Sequence, residues 1–140
     1  MPVFLDRDIL VCNFHRCANQ EEKYLYLIEL GSALPTSSKD LYHPKNIVPG
    51  CQSQVWITVD TDKEGLVILD GDSDSVLVKG LLAIVFCCYQ HMTPQSIIYF
   101  NVKSWLLDLD LMRQLTPSRS NGLGAMIYTI HKKLKCLINH

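Results

Sequence analysis

Surplus charge is the first thing missing from this chain. Its 140 residues carry 13 lysines and arginines against 14 aspartates and glutamates, a formal charge of −1. Such a balance offers no basic face to nucleic acid and none to an anionic bilayer. A long apolar run is missing as well. The strongest, from Leu81 to Cys88, falls far short of the roughly 20 residues that cross a membrane as a helix. Residues 1–8 carry Asp6, Arg7 and Asp8 and no apolar stretch behind a basic start. No export signal is read there, and a cytoplasmic location is expected.

Cysteines at metal spacing are absent too. The chain has six, but Cys12 and Cys17 flank His15 at a separation of five, Cys87 and Cys88 are adjacent, and no Cys-x2-Cys pair occurs. A structural zinc site or an iron–sulfur cluster wants grouped ligands. Without an export signal a disulfide framework is not expected either. Gly71-Asp72-Ser73-Asp74 lacks the length and oxygen spacing of a calcium loop and reads as a capping turn. There is no repeat, no low-complexity segment and no linker. With 48% hydrophobic residues and a mean hydropathy of +0.10, the chain reads as one soluble globular domain, 1–140, with a real core.

What is present is a clear succession of elements. A short amphipathic helix is predicted over 6–17, with Ile9, Leu10, Phe14 and Cys17 near one face. Asn19 caps a second helix and Glu22 completes a capping-box pattern. Gly31 followed by Pro35 is expected to stop that helix, and Tyr24, Leu27, Ile28 and Leu30 to supply its buried side. A loop over 34–49 follows. Strands are predicted at 53–60 and 66–69 around a Thr61–Gly65 hairpin loop. Residues 71–75 should turn the chain and cap a helix over 76–91, apolar nearly all round and therefore central. Thr93-Pro94 and Thr116-Pro117 each pair an N-cap threonine with proline at the first helical position. They open a short helix to about Tyr99 and a long one from Pro117 to about Leu137, with another short helical stretch near Trp105 between them. The fold class is α+β: a small antiparallel sheet packed by several helices on one side.

Among the cysteines, Cys51 alone stands between turn chemistry and a strand-like run, in Val48-Pro49-Gly50-Cys51-Gln52-Ser53-Gln54-Val55-Trp56. Gly50 is free to adopt positive φ. A thiol on the loop entering a sheet edge can be presented to a partner. By local sequence alone it reads equally as a small apolar residue closing that edge. Cys87 and Cys88 read as small buried hydrophobes in the central helix, with Cys12, Cys17 and Cys136 similar on the terminal helices. Trp56 and Trp105 read as core.

Several separate blocks resemble one family in their order. They are Phe14-His15-Arg16-Cys17-Ala18-Asn19, Glu21-Glu22-Lys23-Tyr24-Leu25-Tyr26, the Gly50–Trp56 block, Gly71-Asp72-Ser73-Asp74, Val78-Lys79-Gly80-Leu81 and Leu115-Thr116-Pro117-Ser118-Arg119-Ser120. Together they resemble SufE, the sulfur-acceptor partner of a cysteine desulfurase, over nearly the whole chain. The resemblance implies a SufE/IscU-like fold and a persulfide carried on Cys51. It implies sulfur taken from a SufS-type desulfurase, stimulation of that enzyme, and delivery to a SufBCD-type scaffold that builds iron–sulfur clusters. It also implies a homodimer and no cofactor of its own, the pyridoxal phosphate belonging to the desulfurase. Gln52, Ser53 and Asp74 are closer to SufE than to the sister CsdE type. Gln20 and Gly124 depart from the pattern.

In that chemistry the thiolate is the nucleophile. Gly50 and Gln52 bring no charge, so activation must come from groups near in space or from the desulfurase. His43, Lys45 and Arg119 are the candidates in this chain. Asp74 is a candidate for partner contact or for tethering the Cys51 loop, and Arg119, poorly placed for its helix dipole, for a salt bridge to the partner. Three rivals remain open: an IscU-like cluster scaffold, an activator that never holds sulfur, and a thiol peroxidase.

Overall fold

The fold is assembled around one helix that is apolar on nearly every side. In the computed structural model, which describes residues 5–35, 38–111 and 114–139, this is α3, Val76–Tyr89. The opening residues read for an export signal begin outside the described ones, as does Ser37 of the predicted loop. All of α3 except Val76 and Lys79 is buried. Leu82, Ile84, Val85 and Tyr89 are completely sealed, and each such side chain contributes about 1.5–3 kcal/mol of burial. The helix ends at Tyr89, two residues before the expected His91, which adopts φ 61°.

Two helices precede it. In α1, Arg7–Arg16, the Asp6 carboxylate accepts from the Asp8 amide and so caps the helix instead of starting it. Leu10 and Phe14 are buried, whereas Ile9 is half exposed. In α2, Gln20–Ser32, the Asn19 side chain accepts from the Glu22 amide, and Glu22 reaches back to the amide of Ala18. The buried stripe of α2 is Lys23, Leu27 and Gly31, and Tyr24, expected inside, is 40% exposed. The helix ends at Ser32, between Gly31 and Pro35 as expected. Gly31 is its penultimate residue and lies where α2 crosses α3: a Cβ there would fall 2.7 Å from the Gly80 nitrogen, and one on Gly80 would fall 2.3 Å from the Leu27 carbonyl oxygen. The two glycines let the backbones touch. That contact rotates α2 so that residues 23, 27 and 31 face inward. The Lys23 ammonium then emerges to pair with Asp110 at 3.1 Å.

The sheet has two antiparallel strands, β1 Val55–Thr61 and β2 Val67–Ser73, paired from Val55↔Ser73 to Thr61↔Val67. Gly65 turns the hairpin with φ 82° while the Asp62 carboxylate accepts from the Glu64 and Leu66 amides. β2 is longer than predicted, and Gly71 to Ser73 belong to the ladder, not to a turn. Gly71 sits there because a Cβ would meet the Phe86 ring and the Trp56 carbonyl, both at 2.8 Å. Only Asp74 and Ser75 remain as the turn, with Ser75 capping α3.

The predicted loop before β1 holds two short 3-10 turns, Lys39–Tyr42 and Pro44–Asn46. They form a strap across the outer face of the hairpin. Leu41 and Val48 are buried, the Tyr42 ring meets Trp56 edge-on at 5.0 Å, and the Tyr42 hydroxyl donates to Asp72. Trp56 is therefore half-buried under the strap and not in the main core.

After α3 come α4 Pro94–Tyr99, α5 Val102–Asp108 and α6 Pro117–Ile138. Thr93 and Thr116 cap α4 and α6 as expected, each followed by proline. Trp105 is buried in the core. α6 buries Leu123, Met126, Ile130 and Leu134 at helical spacing and packs against β1, α3 and α4. The class is α+β, as the pattern predicts. Among the described residues no helix is long and apolar enough to cross a membrane.

Candidate functional site

Cys51 stands on the short loop between the strap and β1, with both ends of that loop tied down. On the strap side the Val48 amide donates to the Val55 carbonyl at 2.8 Å. On the strand side Gln54 is held by the β2–α3 turn. Its amide donates to the Asp74 carboxylate at 3.1 Å, and its carbonyl accepts from the Ser73 hydroxyl at 2.8 Å and the Asp74 amide at 3.2 Å. Between these ties Gly50 takes φ +86°, a conformation that only glycine adopts without cost. It turns the next side chain inward, toward α6.

The thiol therefore points at a helix instead of at solvent. Its Sγ lies 3.7 Å from the Gly122 carbonyl oxygen, to which it donates. Cys51 is half-buried. Burial pushes its thiol above the ordinary value of 9.0, and no charged group among the described residues shifts it either way. A thiolate there would lose water and face a carbonyl oxygen, so the resting sulfur is protonated.

A pocket of about 250 Å³ opens beside the sulfur. Gln52 and Ser53 form its loop side and Ser75 and Val78 the start of α3. Thr116, Ser118, Arg119, Gly122 and Met126 form the first turns of α6. The wall is polar near the helix starts and apolar at Val78 and Met126. Apart from Cys51, none of these residues is a cysteine, histidine or carboxylate. Among the described residues no group of three or more such side chains could hold a metal ion.

The sequence candidates divide on this geometry. Gly50, Gln52 and Arg119 converge on Cys51 directly, and Asp74 acts one residue removed, by holding Gln54. The Arg119 guanidinium donates to the Gln114 carbonyl at 3.2 Å and also borders the pocket. His43 and Lys45 lie on the strap and do not line it: the His43 ring accepts from the Lys45 amide, and Lys45 borders a separate depression with Lys133. Val78, from the Val78–Leu81 block, and Ser75, from the predicted capping turn, also line the pocket, whereas Gly122 and Met126 are brought in by the fold and carry no motif of their own. The only sequence signal among them is glycine inside a predicted helix, noted at Gly124 and equally present at Gly122.

The other cysteines differ in kind. Cys87 and Cys88 are sealed in α3, and burial pushes both thiols up to about 12. Cys12 and Cys136 are exposed, not buried as expected, because each faces outward on its helix. Cys17 is half-buried and donates to the Asn13 carbonyl at 3.5 Å. Of the departures from the family pattern, Gln20 accepts twice from the Gln114 amide group, whereas nothing lies within 4 Å of where a Gly124 Cβ would stand.

Comparison with known proteins places the chain in a family and beside a solved structure. The family model described as SufE, an Fe-S metabolism associated domain, matches residues 8–134. The solution structure of a hypothetical protein from Thermus thermophilus is similar with a TM-score of 0.74, over 95% of this chain and 93% of that one, at 16% identity. At that identity the likeness establishes the shared fold.

Proposed function

This chain belongs to the SufE family, associated with iron–sulfur metabolism, and from that premise we propose that it accepts and relays sulfane sulfur on Cys51. The donor is the persulfide of a SufS-type cysteine desulfurase, and the recipient is a SufBCD-type cluster-assembly complex. Cys51 thiolate attacks the outer sulfur of the donor persulfide. The donor's inner sulfur leaves as thiolate, and Cys51 now carries S–SH. No bound cofactor is required of this chain, since the pyridoxal phosphate that releases sulfur from cysteine resides in the desulfurase. A homodimer accompanies this reading and is checked by sedimentation.

The observation that carries the proposal is the placement of Cys51. Of six cysteines it alone sits on a loop with a glycine hinge behind it and a pocket in front of it. The pocket has room for a second sulfur atom and no second ligand to share a metal. The resting thiol is protonated, so its ionisation is coupled to the loop leaving α6 for a partner's active site. Cys51 is then sheltered while it waits and reactive only where sulfur is delivered. A cluster scaffold would need further ligands around Cys51, and the lining supplies none.

The test is intact-mass spectrometry after the reduced protein is mixed with a SufS-type desulfurase and L-cysteine. An adduct of about 32 Da, one sulfur atom, is expected on Cys51 and absent in Cys51→Ala. Stimulated desulfurase turnover without any adduct would overturn the carrier role in favour of pure activation.

A further inference from the structure

Helix α6 carries two glycines in its first half, and their surroundings differ. Glycine in a helix interior is disfavoured relative to alanine, so each position invites an explanation. A Cβ on Gly124 would meet nothing within 4 Å. A Cβ on Gly122 would meet a single atom, the Cys51 sulfur, at 3.7 Å. That is an ordinary contact distance, and Gly122 has no left-handed φ to defend. Gly122 is also buried, so it is not a surface accident. The resting protein would accept alanine at 122. What the methyl would remove is the space in front of the sulfur.

We infer that Gly122 is a positioning residue for the outer sulfur of a Cys51 persulfide, keeping open the part of the pocket into which that atom folds. The inference rests on the sulfur-carrier reading above. An outer sulfur lies about 2.0 Å beyond Sγ. Turned toward α6, it would come well inside contact distance of a methyl held 3.7 Å from Sγ. With glycine the space beside Sγ, in the pocket that Val78 and Met126 border, stays open to it. With alanine it is directed outward, where free thiols reach it. Stripping by a dithiol then proceeds in balance: the dithiol and Cys51–S–SH give the cyclic disulfide, Cys51–SH and hydrogen sulfide.

The experiment loads the sulfur chemically and so bypasses the desulfurase. Cys12, Cys17 and Cys136, the thiols outside the core, are changed to serine. Cys51 is converted to its mixed disulfide with thionitrobenzoate, and sulfide displaces the aryl thiolate to leave Cys51–S–SH. Loss of the extra sulfur to dithiothreitol is followed by intact mass in this background, in Gly122→Ala and in Gly124→Ala. The background and Gly124→Ala are expected to lose it at one slow rate, and Gly122→Ala about tenfold faster or more. Iodoacetamide should alkylate the unloaded thiol at rates within about twofold in all three. Equal persistence in Gly122→Ala and Gly124→Ala would overturn the inference. So would a background persulfide stripped as fast as in urea-unfolded protein. Loss of the fold in Gly122→Ala would also overturn it, since the resting structure is argued to accept the methyl. If a desulfurase never loads Cys51 but the chemically loaded sulfur behaves as expected, the carrier reading fails and the role of Gly122 stands.

Discussion

Replacing Gly50 by alanine isolates the hinge on which the Cys51 loop depends. Gly50 sits at φ +86°, where an L side chain costs roughly 1–2 kcal/mol. A new Cβ would meet only the Ala125 methyl, at 3.7 Å, so the penalty is conformational and not a clash. It falls on the inward loop, because an outward loop is free to choose another φ. The ratio of outward to inward loops should then rise about 5–30-fold. With fast exchange, alkylation of Cys51 by iodoacetamide should accelerate by the same factor. Global stability should drop by less than the local strain, since alanine also stiffens the unfolded chain by about 0.4–1 kcal/mol. Gly65→Ala is the control. Gly65 carries nearly the same strain, φ +82°, with nothing within 4 Å, but at the hairpin tip. It should lower the melting temperature and leave Cys51 alkylation unchanged. Rates are read by intact mass and peptide mapping at one pH, in the background lacking Cys12, Cys17 and Cys136. If Gly50→Ala leaves the Cys51 rate within twofold of the parent, positive φ is not what holds the thiol against α6, and the hinge reasoning is wrong.

Other consequences follow from the core. Gly80→Ala gains about 1 kcal/mol of helix propensity but drives a methyl to 2.3 Å from the Leu27 carbonyl. Backbone overpacking should win, lowering stability by about 1–3 kcal/mol in urea titration, and a stabilised variant would refute the close crossing of α2 and α3. Cys87 and Cys88 are held protonated, their folded values near 12 against 9.0 unfolded. Their contribution is therefore full below pH 9 and is lost as pH rises toward 12, with a slope of at most about 1.4 kcal/mol per pH unit per thiol. The double change to alanine should lower stability at pH 7 yet flatten the decline between pH 8 and 10.5, whereas an unchanged slope would place the alkaline titration elsewhere. His131 hydrogen-bonds the buried Tyr89 hydroxyl at 3.2 Å, and burial, with Lys135 nearby, holds its folded value below 6.5. Its contribution is thus present above pH 6.5 and lost as pH falls through the lowered value. His131→Gln should flatten the acid limb of thermal stability, and a limb of unaltered steepness would count against it.

Local chemistry written in a few adjacent residues was enough to specify much of this protein. The Asn19, Thr93 and Thr116 caps, the Gly65 hairpin, the nearly all-apolar α3 and the loop position of Cys51 each depend on neighbours within a few residues. Backbone capping and hydrophobic periodicity act at that range, so they were readable from the chain. The order of blocks along the sequence likewise pointed to the family whose model matches residues 8–134. What the sequence could not decide was which elements meet. Gly31 reads as part of a helix stop, and the helix does end one residue later, but only the approach of Gly80 from α3 shows why that position needs glycine. Gly71 looked like a turn until Phe86 was seen above it. His43 and Lys45 looked as near to Cys51 as Arg119 did, yet the strap carries them away, whereas α6 brings Arg119 and Gly122 to the pocket from some 70 residues along the chain. A thiol's pKa and the room around it are sums over groups distant in sequence, and tertiary packing alone sets those distances.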